Sequence, residues 1–143
     1  MRIAVKRVYD KPSEADGTRV LVDRLWPRGL SKQVAAVHHW LRNLAPSNEL
    51  RTWYHSQPGH WITFRSRYLR ELTRPEAAKA LEQLYELAGN GNVTLLFASK
   101  NEERNNAVVL KALLEGARKP PTGSGPAAAG AGRMRQARRA PRR

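Results

Sequence analysis

Arg24 and Arg28 flank an indole and a φ-locked proline in Arg24-Leu25-Trp26-Pro27-Arg28-Gly29. Guanidinium groups hold phosphates and carboxylates through paired N–H donors, so this spacing suits the capture of an anion. A second group of candidates lies in Ser99-Lys100-Asn101-Glu102-Glu103-Arg104-Asn105-Asn106. A helix starting there offers unsatisfied backbone N–H groups, with a hydroxyl from Ser99 and a point charge from Lys100. If the two segments are neighbours, Arg24, Arg28 and Lys100 hold an anionic or phosphorylated small ligand and Trp26 walls it. Glu102 and Glu103 act against this, because they favour the same helix dipole and repel an anion. The structural alternative has Trp26 plugging the core, the arginines pairing with Asp23 and other carboxylates, and Asn101 capping an ordinary helix.

His55 follows Trp53-Tyr54 and precedes the Pro58-Gly59 turn. An imidazole titrates near neutrality, which makes His55 the candidate catalytic acid or base; a packed, singly hydrogen-bonded histidine is the alternative. Ser47 can pair with His55, but no nucleophile-elbow motif surrounds it. His38, His39, His55 and His60 lack metal-ligand spacing, so no metal site is expected. Neither a Walker loop nor Gly-x-Gly-x-x-Gly occurs, and the chain has no cysteine. No cofactor follows from these residues.

These side chains need elements to position them. Ile3, Val5 and Val8 predict a strand over about 2–8. Asp16-Gly17 predicts a turn, and the unbroken Val20-Leu21-Val22 run predicts a strand over 19–23 covered on both faces. Ser31 starts a short helical turn, and a strand over 37–43 follows. Ser47 or Asn48 caps a helix through Trp53 and Tyr54. Trp61, Phe64, Tyr68 and Leu72 recur at helical spacing. Thr73 and Glu76 have capping-box spacing ahead of a helix through Ala77, Leu81, Leu84 and Ala88, which left-handed glycines in Gly89-Asn90-Gly91 end. Val93-Thr94-Leu95-Leu96-Phe97-Ala98 reads as the central strand, with a helix from about Glu102 to Leu114. The fold class is therefore α/β: a small Rossmann-like sandwich with a largely parallel sheet. Ligands of such sheets bind beyond the carboxyl ends of the strands.

The chain has 143 residues, no cysteine and a formal net charge of +14. Residues 118–143 hold eight Lys/Arg and no acid, leaving 1–117 with 18 basic and 12 acidic side chains. The expected organisation is one domain, 1–117, and a disordered Pro/Gly/Ala/Arg-rich tail, 118–143. That tail suits nonspecific polyanion binding by counterion release, which makes a nucleic-acid-associated protein the alternative function. The charged N-terminus MRIAVKRVYD is neither a signal peptide nor a membrane span, so a cytoplasmic protein without membrane partners is expected. The aromatic helix 60–72 offers a homodimer surface, and the oligomeric state stays open.

Lys6-Arg7-Val8-Tyr9-Asp10, the stretch 16–29, Leu44-Ala45-Pro46-Ser47, Leu50 to His55 and 93–110 together resemble the YeaO-like branch of the domain-of-unknown-function family 488. The resemblance covers about residues 1–115. It implies a compact bacterial Rossmann-like protein with no established activity, and a site at Arg24, Trp26, Arg28, Ser47, His55, Lys100 and Asn106. Where the family pattern reads Lys-Asp-x-x-His-Asn, this chain has Lys100-Asn101-Glu102-Glu103-Arg104-Asn105. The lost acid and histidine weaken acid–base chemistry, and Arg104 strengthens an anion site. Enzymatic action on a nucleotide-like substrate is the further expectation.

Overall fold

The structure, a computed structural model, describes residues 2–118. Its strands are β1 (Ile3–Arg7), β2 (Thr18–Leu21), β3 (His39–Trp40) and β4 (Val93–Phe97). Its helices are α1 (Lys32–Ala35), α2 (Asn48–Ser56), α3 (Trp61–Glu71), α4 (Pro75–Gly89) and α5 (Asn106–Arg118). The sheet order is β1-β4-β2-β3 and every pairing is parallel, with Leu95 of β4 between Val5 and Val20. The chain is thus an α/β protein, and its sheet is wholly rather than largely parallel. The expected disordered tail lies outside the described residues, apart from Arg118.

Side chains alternate across each strand, so the unbroken apolar runs feed two cores. Ile3, Val20, Val22, Val93, Leu95 and Phe97 join buried residues of α2 to α5 in the main core. Leu21 and Leu96 face the other way and meet Val8, Ala35, Trp26 and Trp40 in a smaller core under α1 and the loops. Val20, Leu21, Leu95 and Leu96 are fully excluded from solvent. Each such side chain contributes roughly 1.5–3 kcal/mol by leaving water.

The near end of that second face is ionic. Arg19 is 2% exposed, yet each of its three guanidinium nitrogens donates a hydrogen bond. It donates to Asp16 at 2.6 Å, to the Ala35 carbonyl at 2.8 Å and to the Ala36 carbonyl at 3.0 Å. Lys6 adds a second bond to Asp16 at 3.1 Å. Burial acts to raise the Asp16 carboxyl, but the Ser13 N–H, Lys6 and Arg19 outweigh it and hold it below the ordinary carboxylate range. A charge this deep is tolerable only when paired and hydrogen-bonded. Ala36 sits left-handed, at φ 50°, and its turn presents the carbonyls that Arg19 takes.

The strands expected over 2–8, 19–23 and 93–98 and the Ser31 and Ser47 caps are present. Four local expectations are not met. The strand expected over 37–43 shrinks to His39–Trp40, because Arg42–Leu44 turns into a 3-10 helix. Thr73 does not cap α4: its hydroxyl donates back to the Arg70 carbonyl, and Pro75 at the first helical position follows uncapped Arg74. Neither Gly89 nor Gly91 is left-handed, and α4 closes on an ordinary right-handed Asn90. α5 begins at Asn106, not Glu102, because asparagine side chains satisfy the backbone before it. Asn101 accepts from the N–H groups of Glu103 and Arg104, and Asn105 accepts from that of Val108.

Gly17 has φ +65°, and a Cβ there would lie 2.4 Å from the Asn92 carbonyl oxygen, which accepts from Thr18 N–H where β2 begins beside β4. Gly29 has φ +82° but faces open space. Gly29→Ala is expected to cost about 1 kcal/mol through its backbone alone. Gly17→Ala is expected to cost several-fold more, because backbone must also move. Urea unfolding of the two variants checks this; equal losses would contradict it.

Candidate functional site

Parallel pairing of β2 with β4 places their carboxyl ends side by side, so the segments after Leu21 and after Phe97 are neighbours. The adjacency that the anion-site expectation required is therefore met. The residue that joins the two ends is Asp23. One carboxylate oxygen accepts from the Ala98 N–H at 2.9 Å, and the other from the Asn106 amide at 3.1 Å. Asn106 also donates to the Val22 carbonyl at 2.9 Å, which fixes its orientation at the start of α5. Burial raises the Asp23 carboxyl above its ordinary value, against the Asn106 and Ala98 bonds and the Arg51 charge.

The arginine expectation divides. Arg24 leaves β2 next to Asp23 but does not pair with it. Its terminal nitrogen reaches the Ala45 carbonyl at 3.4 Å, and its Nε is buried without an acceptor. Arg28 is exposed; its carbonyl accepts from the Tyr9 hydroxyl, which ties the loop to the end of β1. Lys100 and Arg104 are also exposed, at the far side of the joined ends. Among the described residues, no carboxylate forms an ion pair with Arg24, Arg28, Lys100 or Arg104. Arg104 does lie close enough to Tyr54 to act on its hydroxyl, which burial raises and the arginine charge lowers.

Trp26 fills the smaller core. Its ring meets Trp40 edge-on with centroids 5.4 Å apart, and its Nε1 donates to the Leu30 carbonyl at 2.7 Å. The indole therefore braces the loop that carries both arginines. Ser47 stands two residues beyond Ala45, whose carbonyl Arg24 reaches, but its own side-chain bonds go to α2 and α3. It caps α2 through the Leu50 N–H, while Glu71 of α3 takes both its N–H, at 2.7 Å, and its hydroxyl, at 2.5 Å. His55, in the last turn of α2, is exposed and has no hydrogen bond or ring contact with any other candidate.

The expected crown of free N–H groups after β4 is mostly spent, since Asn101 and Asn105 take three of them. The site is thus a carboxylate held between strand ends, with Arg24, Arg28, Lys100 and Arg104 on the two segments that leave them and none of the four in an ion pair among the described residues. Asp23 is the residue the sequence reading assigned only to ion pairing. A charge closing an apolar run is its local signal, but its amide partner stands at position 106. Among the described residues, no cluster of three or more potential metal ligands occurs, and no helix is long and apolar enough to cross a membrane.

Comparison with known proteins shows the family resemblance. A family model described as the inactive DUF488-N3 subclade matches residues 2–129. The uncharacterized protein Rv3073c of Mycobacterium tuberculosis is 44% identical over 115 residues, covering 80% of this chain and 95% of the relative. The uncharacterized protein YeaO of Escherichia coli K12 is 43% identical over 110 residues, covering 77% of this chain and 94% of the relative. No solved structure matches the chain at a significant level.

Asp23→Asn keeps the shape but offers one acceptor where two donors converge. Either Ala98 N–H or the Asn106 amide loses its partner, at a cost of about 1–3 kcal/mol. The pH dependence has a defined sign. A folded carboxyl raised above its unfolded value stabilises below that value, and this contribution is lost as pH rises through the folded one. The gap between wild type and variant, read by urea unfolding, is therefore expected to narrow as pH rises from about 4, the unfolded carboxyl value. A gap that widens over that range would contradict the assignment.

Proposed function

The chain belongs to the DUF488 family, in its inactive N3 subclade, and from that premise we propose that it binds an anionic or phosphorylated small ligand at the joined carboxyl ends of β2 and β4. The observation that carries this reading is Arg24, whose buried Nε lacks an acceptor beside the Asp23 bridge. Arg28, Lys100 and Arg104 lie on the two segments that leave these strand ends and have no acid partners among the described residues. A buried guanidinium N–H without an acceptor gains more from an oxyanion than a solvated one does. Asp23 is tied to Ala98 and Asn106, and its negative charge opposes an anion, a repulsion that Arg24 must outweigh. Trp26, braced on Trp40, holds the loop rather than the ligand.

The family description as inactive favours binding over catalysis, and the solitary, exposed His55 agrees with that. As a catalyst on nucleotide-like substrates, His55 would need a ligand to reach it from the strand ends. A second reading, nucleic-acid association, rests on the eight basic residues and absence of acids in 118–143.

Thermal unfolding of the full chain against phosphate, sugar phosphates and nucleotides tests the first reading. A ligand at a hundred times its dissociation constant stabilises by about 2.7 kcal/mol. The Arg24→Gln/Arg28→Gln double variant is expected to fold and to lose that shift. A folded double variant with an undiminished shift would overturn the site. For the second reading, deleting 119–143 is expected to remove most affinity for single-stranded DNA at moderate salt; unchanged affinity would refute it.

A further inference from the structure

We propose a second binding site, in the cleft between α2 and α3, for an aromatic ring that carries an oxyanion. The cleft encloses about 400 Å³, within the range of small-ligand pockets. None of Arg24, Arg28, Lys100 and Arg104 lines it. Its floor is apolar: Leu50 is buried, and the Trp53 indole is half-buried and faces the opening. Its α3 wall supplies two cations, Arg67 and Arg70.

The arginines are not equivalent. Arg67 lies over the Trp53 ring, 4.5 Å from its centroid. Stacking engages the face of a guanidinium and leaves its in-plane N–H donors for an oxyanion. It also fixes the side chain before binding, which lowers the entropic cost of ordering it. Arg70 stands one turn along the same helix. Neither side chain has an ion-pair or hydrogen-bond partner among the described residues.

The acid nearest to them is already committed. Glu71 bonds the N–H and hydroxyl of Ser47 with its two oxygens, locking α3 to the start of α2. Glu71 also lines the cleft and lies 3.9 Å from Arg74, but it forms no ion pair with Arg67 or Arg70. Glu49, at the rim, has no such partner and opposes an anion. A carboxylate or phosphate between the two guanidinium groups, with its ring against Trp53 and Leu50, uses every free group of the cleft except Glu49.

The test is an NMR titration of the full chain with phenyl phosphate and with benzoate, using inorganic phosphate and phenol as controls. Saturable shifts are expected at the Trp53 indole N–H and at amides of 47–53 and 67–71. The stronger of the two aromatic probes identifies the oxyanion. Arg67→Gln/Arg70→Gln is expected to weaken binding by at least about tenfold, Arg70→Gln alone by less, and Glu49→Gln to tighten it. Arg24→Gln/Arg28→Gln is expected to leave it unchanged, which separates this site from the strand-end site. No saturable response, an equal response to phenol, or full affinity in the well-dispersed Arg67/Arg70 variant would overturn the proposal.

Discussion

The Asp23 carboxylate is the constraint on which the carboxyl end of the sheet depends. Its two oxygens receive donors from the strand beside it and from the helix that follows that strand. Parallel strands end without a shared turn, so their exits are held together only by long-range contacts. A carboxylate can do this because it accepts from two directions, and Asp23 does so between residues far apart in the chain. Burial raises its carboxyl, so the bridge has an energetic cost that neutral side chains would not carry.

The opposite end of β2 is pinned by different means. Asp16, Arg19 and Lys6 form a buried ionic cluster there, and Gly17 lets the chain pass within contact of Asn92. The Thr94 hydroxyl donates to the Asp16 carbonyl at 2.7 Å, which ties the same turn to β4. With both ends fixed against β4, the apolar middle of β2 has one register. A slip by one residue would turn Val20 and Val22 out of the main core and bring Arg19 into it.

Charge is distributed by the same logic. The cations that fix the fold, Arg19 and Lys6, are paired at the amino end of the sheet. The cations of the carboxyl end, Arg24, Arg28, Lys100 and Arg104, have no acid partner among the described residues. The α2–α3 layer repeats the contrast within one cleft, where Glu71 is spent on Ser47 while Arg67 and Arg70 keep their donors. The two sets of arginines thus differ in whether their donors are already filled.

The sequence by itself determined the elements and most of their faces. Unbroken apolar runs at 20–22 and 93–98 could be buried only in the middle of a parallel sheet, and β2 and β4 lie there. The spacing of Phe64, Tyr68 and Leu72 placed the inner face of α3, and Ser31 and Ser47 marked real caps. Local hydrogen bonding defeated the reading at Thr73 and at Asn101, where short polar side chains bond their own neighbourhood in more than one way. Only the tertiary structure decided which charged residues are spent. Whether Arg24 meets Asp23 or an empty space, whether Ser47 faces His55 or Glu71, and whether Trp26 lines a site or a core all depend on partners distant in sequence. Periodicity reports which face of an element leaves water; it carries no record of which donor meets which acceptor once the faces close.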